Sequence, residues 1–244
     1  MADVPELHRI VSAALQRGIE DLRARGVLLV GISGRLEHGK NEVANALGEL
    51  VRDRVLPHEC RSCEMAFAGS LKEATAAMFG FTDAQMHTAA GKAAIDSRWG
   101  LSPRIVLQQL GTEGVRALFG PDFWAASLIM RIPPGVGIVF ITDVRFPNEA
   151  DMIRAAGGIL VRVVRPYSDT FPAPVGPEHA SETALDRYDF AEHELLHNDN
   201  TLPALYAMVA VQLEPRVVEA LPNCCLTQRC RERYNRVGGA RGHA

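Results

Sequence analysis

The chain has 244 residues, 47% of them hydrophobic, enough for one large α/β domain or a core with a smaller insert. Its formal net charge of −3 argues against a broad electrostatic surface for nucleic acid and leaves room only for a local basic groove. No apolar run reaches the roughly 20 residues of a membrane span, and "MADVPELHRI" lacks a basic segment followed by an apolar run, so the expectation is a soluble cytoplasmic protein with no signal peptide and no membrane partner.

In chain order, Val4, Leu7, Val11, Ala14, Leu15 and Leu22 recur at helical spacing, which predicts an amphipathic helix over residues 3–24, stopped near Gly26. "VLLVGIS" reads as a buried strand. After Lys40, the apolar positions Val43, Ala44, Ala46, Leu47, Leu50 and Val51 predict a second helix. The five cysteines form two groups, Cys60 with Cys63, and Cys224, Cys225 and Cys230. Two such groups can close a zinc site, but no compact Cys/His module surrounds either, so reduced thiols are expected.

"SLKEATAAMFGF" predicts a helix ending at Gly80, and "SPRIVLQQLGTEGVRALFG" a helix opened by Pro103. Gly111 and Gly114 inside the latter imply close approach of another segment or a ligand. "DFWAASLIM" is helical in pattern, "GVGIVFITDVRF" is a strand ending in charge, "NEADMIRAAGG" a short helix and "ILVRVVR" a strand. Strand, helix, strand in this order predicts a parallel sheet. "PYSDTFPAPVGPEHASE" has the composition and length of a mobile cover. "HELLHNDN" holds a last short strand, "TLPALYAMVAVQL" a helix, and from Glu214 onward the chain reads as a frayed tail. The organisation expected is one domain over 1–213, with a helical substrate region at about 67–131 and a lid at about 166–182, then a tail over 214–244.

Three groups of residues carry chemistry. The first is "GRLEHGKNEVA", Gly34 to Ala44, which has the spacing of a phosphate-binding loop. Its position between a strand and a helix lets the amides of Gly34, Arg35, Leu36, Glu37, His38 and Gly39 wrap phosphates, with the helix N-terminus adding positive potential. Lys40 would bridge β- and γ-oxygens during transfer. The second group is Asp143 and Arg145, where a buried strand emerges; an acidic residue there can hold Mg²⁺ through water, and a guanidinium can bind phosphate. A surface ion pair is the plainer alternative. The third is Lys72, Arg104 and Arg116 with Gln108 and Gln109, suited to an acceptor phosphate and a base edge, or simply a solvated helix face. Trp124 is a base-stacking candidate, though core is the commoner fate of such a residue. His179 lies in the expected cover.

The blocks "GISGRLEHGKNEVA", "FAGSLKEATAAMFGF", "LQQLGTEGVRALFGPDFW", "ITDVRFPNEADMIRAAGGILVRVVRP", "HASE" and "LHNDNTLPAL" follow one another as in the deoxynucleoside monophosphate kinases of bacteriophages, which the chain resembles from about Leu28 to about Leu205. The resemblance implies a P-loop kinase fold: a mainly parallel central sheet flanked by helices, with a helical substrate-binding region and a mobile lid. It implies transfer of the γ-phosphate of ATP to a deoxynucleoside 5′-monophosphate, with Mg²⁺, in the making of DNA precursors. Small-molecule nucleotides, a homodimer and the cytoplasm (the host's, if phage-encoded) go with it. By position, Lys40 and the loop match the ATP site; Lys72, Arg116, Asp143 and Arg145 match polar positions around the acceptor and the transferred phosphate. Arg165 and Glu182 border the cover, and Gln108, Gln109 and Trp124 join the substrate set. Where the family commonly has Asp-Thr after the lysine, this chain has Asn41-Glu42. Asp143 is the expected main anionic anchor of the metal, through water, while Asn41 either lends its carbonyl oxygen to a metal-bound water or only orders the loop. A coenzyme-precursor kinase and an inactive nucleotide-binding protein are the competing readings.

Overall fold

The computed structural model describes residues 3–54, 61–168, 171, 179–198 and 201–221. Two compact units share the chain: Met1–Gly18 with Ala66–Arg131, and Ile19–Met65 with Ile132–Ala244. Among the described residues, no helix is long and apolar enough to cross a membrane.

The second unit is built on five strands, all parallel: β1 (Leu28–Gly34), β2 (Arg61–Met65), β3 (Val136–Val144), β4 (Ile159–Val164) and β5 (Leu195–His197), in spatial order β2-β3-β1-β4-β5. β1 and β3 are buried almost throughout, which is why they read as unbroken apolar runs: a parallel sheet is covered on both faces. One face, with Val30, Ile32, Ile138 and Val161, packs on Val43, Leu47 and Val51 of the helix Lys40–Arg54 and on Val209, Leu213 and Val217 near the C-terminal end.

β2 was not legible as a strand. It lies at the edge of the sheet and is half-exposed, so "RSCEM" carries little apolar signal. The frayed tail expected from Glu214 is corrected: Glu214–Ala220 is a helix, because Val217, fully buried, and Leu221, 2% exposed, complete the core. Cys60, Cys224, Cys225, Cys230, the remaining tail 222–244, and most of the expected cover lie outside the described residues. Cys63 is half-buried in β2, and burial pushes its thiol up.

The first unit is helical. The helix Val4–Arg25 begins in it. Gly69–Phe79 ends at Gly80 in the left-handed conformation, the ordinary glycine stop. Ser102 caps Pro103–Gln108 by accepting from the Ile105 amide. The chain then widens into a π-helix over Gln109–Arg116 before Ala117–Phe119. The expected close approach is real here: a Cβ on Gly111 would meet Leu71 Cδ2 at 2.6 Å.

Val217→Ala should lower stability by about 1–3 kcal/mol in urea unfolding, the cost of emptying a buried valine site. An unchanged midpoint would mean that Glu214–Ala220 is not part of the core.

Candidate active site

β1 lies between β3 and β4, so the loop leaving its carboxyl end has a strand end on either side, the usual place for a ligand in an open parallel sheet. Register places Ser33 opposite Val144 of β3 and Arg162 of β4. Asp143 and Arg145 flank Val144 in sequence, so the topology delivers them to the phosphate loop.

The loop itself needs unusual backbone. Gly34, Glu37 and Gly39 have φ of 153°, 62° and 97°. At Gly39 any side chain would also strike Asn198 Nδ2, 2.6 Å from the Cβ position. The loop is held from below. Asn198 Nδ2 donates to the His38 carbonyl at 2.8 Å, and Arg165 Nη1 lies 3.4 Å from the Glu37 carbonyl. The His38 ring is buried, with Nδ1 3.2 Å from both the Val163 carbonyl and the Arg165 amide. Burial lowers its pKa, so the ring is a neutral anchor. Of the loop residues expected to bind a nucleotide, His38 therefore turns its side chain inward, while Leu36 and Glu37 are exposed.

Lys40 opens the following helix, and its Nζ donates to the carbonyls of Gly34 at 2.7 Å and Arg35 at 2.6 Å. Burial, with Arg145 and Arg162 nearby, brings its pKa down to about 8 against the partial support of Glu182 and Asp143. These five charged groups thus lie within electrostatic reach of one another. Arg145 pairs with Glu182. Its amide and that of Phe146 donate to Glu149 Oε2 at 2.8 and 3.0 Å, and Glu149 is 2% exposed, so this buried carboxylate fixes the turn that carries Arg145.

Asn41 is exposed at the mouth of the loop. Burial and the nearby Glu42 carboxylate push the Tyr206 phenol up. Asp143, half-exposed, is the next-to-last residue of β3 and follows Thr142, whose hydroxyl donates to Glu64 Oε1 at 3.3 Å.

The remaining expected residues belong to the helical unit. Lys72 is half-buried on Gly69–Phe79. Gln108 and Gln109 stand where the α-helix becomes a π-helix. Arg116 ends that π-helix and donates to the Pro121 carbonyl at 2.9 Å. Trp124 is core: it is 7% exposed, and its indole N–H donates to the Gly111 carbonyl at 2.9 Å, which corrects its candidacy for base stacking.

Two residues of the site were missed. Arg162 of β4 donates to Ser33 Oγ at 3.0 Å and to Asp186 Oδ1 at 2.9 Å. Asp186 also pairs with Arg35 of the loop. Arg162 had left a signal, a charge in the middle of an apolar strand; Asp186 had none.

No protein-family model matches the chain. A protein of Acanthamoeba polyphaga mimivirus with the provisional name deoxynucleotide monophosphate kinase is 31% identical over 202 residues, covering 75% of this chain and 94% of that protein. The deoxynucleoside-5′-monophosphate kinase of Escherichia phage T5 is 33% identical over 129 residues, about half of each chain (48% and 49%). An uncharacterized protein, ORF77, of Ictalurid herpesvirus 1 is 36% identical over 115 residues, 45% of this chain and 47% of that one. A likeness that runs through nearly the whole length of the mimivirus protein places this chain in the deoxynucleotide monophosphate kinase family.

Proposed function

We propose that the protein transfers the γ-phosphate of ATP to a deoxynucleoside 5′-monophosphate, giving the diphosphate and ADP. The observation that carries this reading is the state of Lys40. Its ammonium is buried against two loop carbonyls, and Arg145 and Arg162 act on it unfavourably. A polyphosphate beside this loop would relieve that repulsion and exchange weak carbonyl contacts for charge-assisted ones. Asn198 and Arg165 already hold the loop backbone, which lowers the cost of ordering it around a ligand.

In transfer, Lys40 would follow the charge that moves from the γ-phosphoryl group to the leaving oxygen. Arg145 holds a carboxylate with its guanidinium here, and the same planar fork suits phosphoryl oxygens. Acceptor-phosphate recognition is assigned to Arg145. The donor set also fits Mg²⁺. That ion keeps several waters and commonly takes one or two protein carboxylates, and Asp143 lies near Lys40 while Asn41 offers a carbonyl oxygen at the loop's mouth. When bound, Mg²⁺ would neutralise phosphate charge.

Purified protein with ATP and Mg²⁺ should convert at least one deoxynucleoside monophosphate, with a standard or modified base, to its diphosphate. Lys40→Ala should lower that turnover by about 100-fold or more. Folded protein that makes no diphosphate from any such acceptor would refute the reading.

The two metal candidates should separate in a titration of rate against free Mg²⁺. Asp143→Ala should raise the Mg²⁺ requirement by about tenfold or more, and Asn41→Ala by about threefold or less, because Asp143 brings a negative charge to the ion whereas Asn41 brings only a neutral carbonyl oxygen that solvent can replace. The reverse order would put the metal on the loop residue.

A further inference from the structure

The expected site residues leave one buried charge unexplained. Arg162 lies in the middle of β4, its side chain 12% exposed. A guanidinium held away from water is costly unless an anion and hydrogen bonds compensate it. Here Asp186 Oδ1 accepts from Nη2 at 2.9 Å and Ser33 Oγ accepts from Nη1 at 3.0 Å. Ser33 is the register partner of Arg162 and directly precedes Gly34, where the loop begins. The guanidinium is thereby fixed to the strand that delivers the phosphate loop.

Asp186 does more than neutralise Arg162. Its carboxylate also accepts from Arg35 in the loop, through Nη2 and through Nε at 3.4 Å, so one anion ties a loop cation to a sheet cation. Burial opposes its ionisation, but Arg35 and Arg162 outweigh that and hold the carboxyl below its usual range. Two guanidiniums and one carboxylate leave this trio with a net positive charge, and Arg35 carries it into the loop. Arg35 and Arg162 line an open recess of about 490 Å³ together with Asp186 and Asp189, so the guanidiniums are not sealed inside the fold.

We propose that Arg162 is a further phosphate-binding residue of this site and that Asp186 is its positioning residue, setting the guanidinium between the loop and β4. The inference rests on the phosphotransfer reading. Arg162 adds charge where the transferred group develops it, so its loss should fall on kcat more than on the KM for ATP. Asp186 touches no phosphate and acts only through the arginines it orients.

The test is a double-mutant cycle in steady-state transfer, with ATP binding followed by calorimetry and folding by thermal melts. Arg162→Lys should lower kcat by about tenfold or more, with the KM for ATP changed by no more than about threefold. Asp186→Asn should lower kcat by about tenfold, and Asp186→Glu should recover most of that loss. Arg162→Lys with Asp186→Asn should be no more than about twofold worse than Arg162→Lys alone. Multiplicative losses, no rescue by glutamate, or variants that lower the melting temperature while keeping normal kcat would overturn the inference and leave the kinase reading intact. If Asp186→Asn fails to fold, Asp186→Glu and Arg162→Lys still decide between positioning and a purely structural role. Wild-type protein that neither binds ATP nor transfers phosphate would refute the reading itself, a result distinct from these.

Discussion

The structure around the loop after β1 depends on one partly buried ammonium. Lys40 sits where water cannot fully solvate it, close to other cations, with two backbone carbonyls for hydrogen bonds. Left alone, such an ammonium would shed its proton or draw water in. The surroundings instead balance it in part. Glu182 pairs with Arg145, Asp186 pairs with Arg162, and Asp143 lies within range. The balance is incomplete, and on the proposed reading a phosphate group completes it.

Topology makes this concentration of charge possible. β1, β3 and β4 are adjacent and parallel, so the loop, the Asp143–Arg145 segment and Arg162 come to neighbouring positions. The apolar faces beneath them set the register, since a one-residue slip would turn every side chain to the opposite face. Rigidity then comes from buried polar contacts: Glu149 under the Arg145 turn, and Asn198 and His38 under the loop.

Much of this was legible in the sequence because local rules agreed. β1, its glycine loop and the helix after Lys40 announce themselves by an apolar run, punctuation and helical spacing. β3 is legible for the same reason, and its charged end marks Asp143 and Arg145. The tail boundary was misplaced although Leu213, Val217 and Leu221 recur every four residues; the charged residues among them obscured the stripe. Trp124 looked the same as a core residue or as a stacking platform, and only its burial and its bond to Gly111 decide between them. Asp186 was out of reach, since its partners stand 24 and 151 positions away and meet it only once the strand order is known.

Lys40 offers the most direct test, because the sequence holds only three lysines, Lys40, Lys72 and Lys92, and its side chain can be followed by NMR in lysine-labelled protein. The free protein should show Lys40 titrating at about 8 rather than at its ordinary 10.5. Saturating ATP should move that value upward by at least about one unit, as phosphate oxygens favour the charged form. A free-state value near 10.5, or one that ATP leaves unmoved, would contradict the account.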